Sequence, residues 1–258
     1  MWVIAKTRGI AQAVDLCYTC QVMRASRVEE NVRPDIERSE RAEGVESRTP
    51  APSIASIEHI RAAMHSPLPG FQAQLEMSPR PRPFEPPPDI RPRQAGVLLL
   101  LYPVRDVLHL VLTMRPSTLN HHGGQISLPG GGWEEGDDSL QETALREARE
   151  EIGVPSAGIE LLGPLTPFYV PPSNNCVHPF VAYLPQRPQF SPDPQEVAEL
   201  LEVPLHLLLE PVTRREEDWI WRGATLHVPF YAVGGYKIWG ATAILLAEFL
   251  ALLTRPMP

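Results

Sequence analysis

Cysteine is scarce: Cys17, Cys20 and Cys176 are the only three in 258 residues. An odd, sparse count excludes a disulfide framework and suits a reducing compartment. Cys17 and Cys20 form a C-x-x-C, but zinc usually takes four ligands and there is no second pair, so incidental thiols are the simpler reading. Long hydrophobic runs are also missing. The run 97–101 is too short to cross a bilayer, and the run 244–253 is broken by Glu248, whereas a spanning helix needs about 20 apolar residues. Asp15 interrupts the apolar stretch behind Lys6 and Arg8, which argues against a cleavable secretion signal. A cytoplasmic protein is the expectation. Positive charge is in deficit: 23 Lys and Arg against 31 Asp and Glu leave a formal net charge of −8. Such a surface does not attract duplex DNA or anionic membranes. An anionic substrate therefore needs a local basic pocket or a metal ion.

What the chain does have is proline, charge and one apolar-rich body. Residues 24–48 hold six Arg and seven Asp or Glu with few large apolar side chains, so residues 1–53 are expected to be a disordered extension. Ile57, Ile60, Ala63 and Met64 mark a short helical face within 54–64. Seven of the fourteen residues 79–92 are proline, which reads as an extended strap, so 54–93 is expected to be a helix followed by that strap. The main domain is expected over 94–254. Strands are predicted at 97–102, 109–113, 159–162, 177–184, 219–221 and 225–229, with helices at 139–152, 204–209 and 241–253. This alternation points to an α/β or α+β sandwich.

The chemistry concentrates in residues 130–154. Pro129-Gly130-Gly131-Gly132 reads as a strand end that turns sharply, and glycine there lets backbone approach a ligand. Asp137, Asp138 and Ser139 are candidate caps for the helix that follows. Leu140, Ala144, Leu145, Ala148 and Ile152 share one face, and Gly153 is placed to end the helix. On the other face Glu147, Glu150 and Glu151 stand at i, i+3 and i+4 and project together. Three carboxylates so close repel one another, and a divalent cation with hard oxygen preference, Mg²⁺ or Mn²⁺, would relieve that. The competing interpretation is a solvated acidic helix with Glu142 and Arg146 as an ordinary i,i+4 pair.

The glycines and the spacing decide against that alternative. Gly132, Arg146, Glu147, Ala148, Glu150, Glu151, Gly153 and Val154 stand where the Nudix box has Gly, Arg-Glu, an apolar residue, Glu-Glu, Gly and an apolar residue. At roughly 5–7 % usage per residue type, the six identical positions would coincide by chance on the order of once in 10⁷ starts. Asp138 stands where the family has Glu; one methylene shorter, it suits a helix cap better than a metal. Upstream, Leu112-Thr113-Met114-Arg115, Gly124 and Leu128-Pro129-Gly130-Gly131 resemble the added signature of the coenzyme A pyrophosphatases of that superfamily. Pro116, Asn120 and Leu128 depart from it, Asn120 by replacing a second Arg. Glu196-Val197, Val203-Pro204-Leu205, Trp239-Gly240-Ala241-Thr242 and the 67–77 lead-in are similar to the same subgroup, so the resemblance covers about residues 54–254.

The resemblance implies a Nudix α/β/α sandwich with a mixed sheet. It implies a metal-dependent hydrolase that cuts coenzyme A or an acyl derivative into 4′-phosphopantetheine and adenosine 3′,5′-bisphosphate. Another nucleoside diphosphate derivative, such as ADP-ribose or a dinucleotide, is the alternative substrate, and a catalytically silent nucleotide sensor the alternative role. Glu147, Glu150, Glu151 and the Gly131 carbonyl are implied as metal ligands, with Arg146 orienting the glutamates. One of those glutamates or Glu196 is the candidate general base, though Glu196 also reads as an exposed carboxylate at a helix start. Arg115, Gly124, Gly130 and Gly131 are the candidate substrate contacts. His121 and His122 are loop histidines near the substrate; Tyr169, Trp221 and Trp239 are aromatic candidates for adenine stacking or for the core. The expected partner is a small nucleotide, with no nucleic acid and no membrane; a homodimer is the quaternary alternative to a monomer.

Overall fold

The computed structural model describes residues 56–81, 85–117, 124–221 and 223–255. The Cys17–Cys20 pair, the 1–53 extension, Asn120, His121 and His122 lie outside them. No described helix is long and apolar enough to cross a membrane.

The strand predicted at 97–102 is the middle of β1 (Arg93–Val104), the axis of an eight-stranded mixed sheet. Arg105 and Asp106, at φ 47° and 66°, turn it into β2 (Val107–Met114), which pairs with it antiparallel. Positive φ at both central positions matches the twist of a two-residue hairpin. On its other side β1 runs parallel to β7 (Asn175–Tyr183), from Arg93↔Asn175 to Leu101↔Tyr183. β5 (Glu160–Pro164) and β6 (Phe168–Val170) pair with β7; β8 (Glu199–Pro204) and β3 (Ile126–Ser127) pair with β2; β4 (Gly130–Gly132) pairs with β1.

A central strand covered on both faces needs apolar residues at every step. Leu98, Leu100 and Tyr102 face one core, beneath α3 (Leu140–Ile152). Leu99 and Leu101 face the other, beneath α5 (Gly240–Thr254). The result is an α/β/α sandwich. Ile60 of α1 (Ile57–Met64), Ala63 and Met77 belong to the α5 core, so the chain before residue 94 is part of that layer. α5 is apolar all round because it is buried all round. Glu248, which breaks its apolar run, is fully buried. Its oxygens receive the N–H of Gly70 (3.1 Å), the amide of Gln74 (2.8 Å) and the hydroxyl of Thr166 (2.6 Å). Gln74 lies on α2 (Phe71–Leu75), so Glu248 ties three segments together.

Several elements escape the sequence reading, α2, β3, β6 and β8 among them, and another is longer than expected. β8 was not expected; its Leu201 and Val203 are buried in the α5 core. β9 (Arg214–Trp221) starts five residues before the predicted strand, in the run Arg-Arg-Glu-Glu-Asp. Its strand state comes from pairing with β10 (Ala224–Val233), not from propensity. With β11 (Tyr236–Trp239), these strands form a separate three-stranded sheet, and α4 (Leu205–Leu209) leads into it.

Candidate active site

α3 begins at Ser139, whose hydroxyl accepts the N–H of Glu142 (3.2 Å), and ends at Gly153 in the left-handed region at φ 73°. Of the three candidate caps, Ser139 does the capping. Ala144, Leu145, Ala148 and Ile152 are buried against the sheet, as expected. The helix lies so close to β1 that a Cβ on Gly96 would overlap the carbonyl of Leu140. That approach sets how far the outer face of α3 stands from the glycine turn of β4.

Arg146 does not pair with Glu142. Its guanidinium forks onto Asp137, Nε to Oδ1 at 2.9 Å and Nη2 to Oδ2 at 3.0 Å. Nη1 donates to Glu147 (2.9 Å) and Glu150 (3.0 Å), and Nη2 also donates to the carbonyl of Gly132 (3.0 Å). Asp137 further accepts the Thr143 hydroxyl (2.8 Å) and the Glu134 N–H (3.1 Å). The Arg146 guanidinium holds the Asp137 carboxyl well below the usual carboxylate range. Asp137 is thus a member of the site that sequence reasoning saw only as a cap candidate. No spacing rule marks it, because a loop brings it back over Arg146. Asp138, one residue on, is exposed.

Glu151 is the most buried of the three glutamates, 3 % exposed. It accepts the N–H of Gly130 (3.1 Å) and lies 3.6 Å from Nη1 of Arg115. Burial pushes its pKa up to about 7. Burial also raises that of Glu147, and the charges of Glu150 and Glu196 add to it. Glu147 lies under Gly131, where a Cβ would collide with its carboxylate. Glu196 is exposed, in the turn just before β8, close enough for its charge to act on both Glu147 and Glu151. The structure therefore gathers Arg115, Gly130, Gly131, Arg146, Glu147, Glu150, Glu151 and Glu196. Gly124 contributes backbone: its N–H donates to the carbonyl of Arg115 (2.8 Å), closing the loop behind that residue. Tyr169 donates to Asn174 (3.2 Å), and Trp239 packs edge-on against Trp219 at 4.8 Å. Trp133, which the sequence reading passed over, is half exposed beside Gly132, with its indole N–H on the carbonyl of Asp137 (3.1 Å).

The donors around Glu147 and Glu151 are all oxygen, which suits a hard divalent cation. Glycine at position 131 leaves the Glu147 carboxylate room against the β4 backbone. Among the described residues no three His, Cys, Asp or Glu side chains are already drawn together as a metal cage. The reason is visible: Arg146 draws Glu147 and Glu150 to itself, while Glu151 turns to Gly130 and Arg115. A cation would compete with those cationic and N–H partners for the same oxygens.

Comparison with known proteins adds an independent line. The sequence model of the NUDIX domain matches residues 92–222, just over half of the chain. Nudix hydrolase 22, chloroplastic, of Arabidopsis thaliana is 38% identical over 174 residues, 64% of this chain and 57% of that protein. An uncharacterized Nudix hydrolase NudL of Photorhabdus laumondii is 35% identical over 68% of this chain and 90% of its own length. The mitochondrial coenzyme A diphosphatase NUDT8 of Homo sapiens is 34% identical over 64% of this chain and 71% of its own. The match spans less than two thirds of the length of that plant hydrolase and of a second one, Nudix hydrolase 15, mitochondrial, of Arabidopsis thaliana, at 57% and 61%.

Proposed function

The chain belongs to the Nudix family, and on that premise we propose that it is a divalent-cation-dependent hydrolase of the pyrophosphate bond in coenzyme A or acyl-coenzyme A. The products would be 4′-phosphopantetheine and adenosine 3′,5′-bisphosphate. The observation that carries the hydrolase reading is the nearly buried Glu151 carboxylate, set between Gly130 N–H and Arg115 and next to Glu147. Burying a carboxylate is costly unless it has partners, and these are few.

Glu147, Glu150, Glu151 and the Gly131 carbonyl are the groups that would hold Mg²⁺ or Mn²⁺. When bound, the cation neutralises the diphosphate and acidifies a water molecule. Arg146 holds Glu147 and Glu150 in position and is itself held by Asp137. Arg115, partly exposed beside Glu151, can meet a phosphate oxygen with a charge-assisted bond. Glu196, exposed and without an ion pair among the described residues, is the candidate left free to take a proton, whereas Glu147 and Glu150 hold Arg146 and Glu151 holds Gly130 and Arg115.

The coenzyme A assignment rests on the Arg115 signature and on similarity to a protein named as a coenzyme A diphosphatase. Asn120, in place of a second Arg, favours a second reading in which ADP-ribose or a dinucleotide is the substrate. Product chromatography with Mg²⁺ and then Mn²⁺ tests the choice. Coenzyme A is expected to exceed ADP-ribose in kcat/KM by about tenfold or more, the worth of one charge-assisted hydrogen bond. Equal turnover, or none of coenzyme A, removes the substrate assignment; no turnover of any diphosphate favours the silent sensor. Cytoplasmic placement rests on sparse cysteine and on the want of a signal-like or membrane-length apolar run, and relatives carry chloroplast and mitochondrial names.

A further inference from the structure

Glu196 stands on the connection between β7 and β8, residues 184–198. The last carbonyls of any helix lack partners within it, and this connection supplies them for α3. Ser191 donates its N–H to the carbonyl of Ile152 (2.9 Å), and Asp193 donates its N–H to the main-chain carbonyl of Glu151 (2.9 Å). A Cβ on Gly153 would run into Ser191, so the helix end and the loop are in direct contact. Asp193 then builds a turn. Its Oδ1 accepts the N–H of Gln195 (2.8 Å), and its carbonyl accepts those of Glu196 (3.1 Å) and Val197 (2.8 Å). Val197 is buried, and Ala198 donates to the carbonyl of Met114 (2.8 Å), next to Arg115. Within six residues the chain passes from the backbone of Glu151 to that of Met114, carrying Glu196 between them.

We propose that Asp193 is a positioning residue for the reaction: its side-chain oxygen closes the turn that holds Glu196 beside α3, so that the proton acceptor and the cation-binding helix keep one geometry. This rests on the hydrolase reading above. An aspartate that accepts its own chain two residues on is a local turn device. What the turn uses is an oxygen acceptor and not a charge. A carboxylate near the C-terminal end of α3 is electrostatically disfavoured. Asparagine keeps the acceptor and should serve; alanine removes it, frees the Gln195 N–H and lets Glu196 drift. A displacement of about 1 Å at a reacting group can cost on the order of 100-fold in rate.

The test uses the full chain as wild type, Asp193→Ala, Asp193→Asn, Glu196→Gln and the Asp193→Ala/Glu196→Gln double variant. Hydrogen exchange over residues 193–198 is expected to quicken in Asp193→Ala and to stay as wild type in Asp193→Asn, with Tm nearly equal in both. With coenzyme A and Mg²⁺, Asp193→Ala should lower kcat about tenfold or more while KM stays within about twofold. Asp193→Asn should recover most of that loss. Adding Asp193→Ala to Glu196→Gln should cost nothing further, because both changes remove one function. Unchanged exchange, a loss that adds fully to that of Glu196→Gln, or a change confined to KM overturns the assignment. A wild type that hydrolyses no diphosphate instead removes the hydrolase reading and the catalytic half of this inference with it. Normal wild-type turnover with a harmless Asp193→Ala removes the inference alone.

Discussion

Glu151, Asp137 and Asp138 are carboxylates of one short motif, yet their surroundings are opposite. Glu151 is buried beside Arg115 and Gly130; Asp137 is clamped by Arg146; Asp138 is exposed. Replacing Glu151 with Gln keeps size and removes the charge a cation would bind. Turnover is expected to fall at least ~100-fold, as for loss of a metal-activated step. Near wild-type turnover at saturating Mg²⁺ would end the metal assignment for this residue. Asp138→Asn should be close to wild type. Asp137→Asn, which breaks the fork onto Arg146, should cost about tenfold or more in the same assay, since a charge-assisted bond is worth ~1.5–3 kcal/mol. If the two aspartate variants rank the other way, the role given to Asp137 falls.

At the scale of elements, the β7–β8 connection is held far from α3 as well as near it. Arg187 forms a two-bond fork onto Glu202 of β8, both at 2.7 Å, and the Tyr102 hydroxyl donates to the same carboxylate (3.0 Å). Phe190 meets Tyr102 edge-on at 5.5 Å. The Arg187 guanidinium and the Tyr102 hydroxyl hold the Glu202 carboxyl below its usual pKa. A group whose folded pKa is depressed contributes stability above its unfolded value and loses it as pH falls through the folded value. Glu202→Gln should therefore lower stability by about 1–3 kcal/mol at pH 7. Thermal melts should bring variant and wild type together as pH drops below the unfolded glutamate value of ~4.3. A gap in Tm that is as wide at pH 3.5 as at pH 7 would show that the cluster acts through packing and not through charge.

For the molecule as a whole, the join between the N-terminal helices and the sandwich depends on Glu248. Its carboxylate is buried and receives donors from Gly70, Gln74 and Thr166, so it links the chain before β1, the β5–β6 connection and α5. Glu248→Leu leaves several buried donors unmatched, which costs on the order of 2–4 kcal/mol. Partial proteolysis should then cut first near residues 65–81, while the sheet and α3 stay resistant. A variant as stable as wild type, with no new cleavage there, would mean that apolar packing of Ile60, Ala63 and Met77 is the whole of the join. Removing residues 56–81 altogether should expose α5 and abolish cooperative melting; an unchanged melt would make the segment an appendage.

The sequence alone determined what periodicity and spacing encode. The apolar β1 and the buried stripe of α3 with its glycine stop are local patterns, and each stands where it was read; the three glutamates follow the same helical spacing, but their partners divide them. The identity of the family followed from fixed spacing in the same way. What the tertiary structure decided concerns groups that meet across loops. Asp137 turns back onto Arg146 through a bend that no helical period describes. Gly96 matters because α3 crosses β1 there, which nothing in its own strand foretells. The charged start of β9 is a strand only because β10 lies beside it, and Glu248 looked like a break in an apolar run until three distant donors surrounded it. Local order is written in residues three or four apart; the depth of Glu151, the partner of Arg146 and the place of Glu196 depend on contacts between residues far apart in the chain, and only folding brings those together.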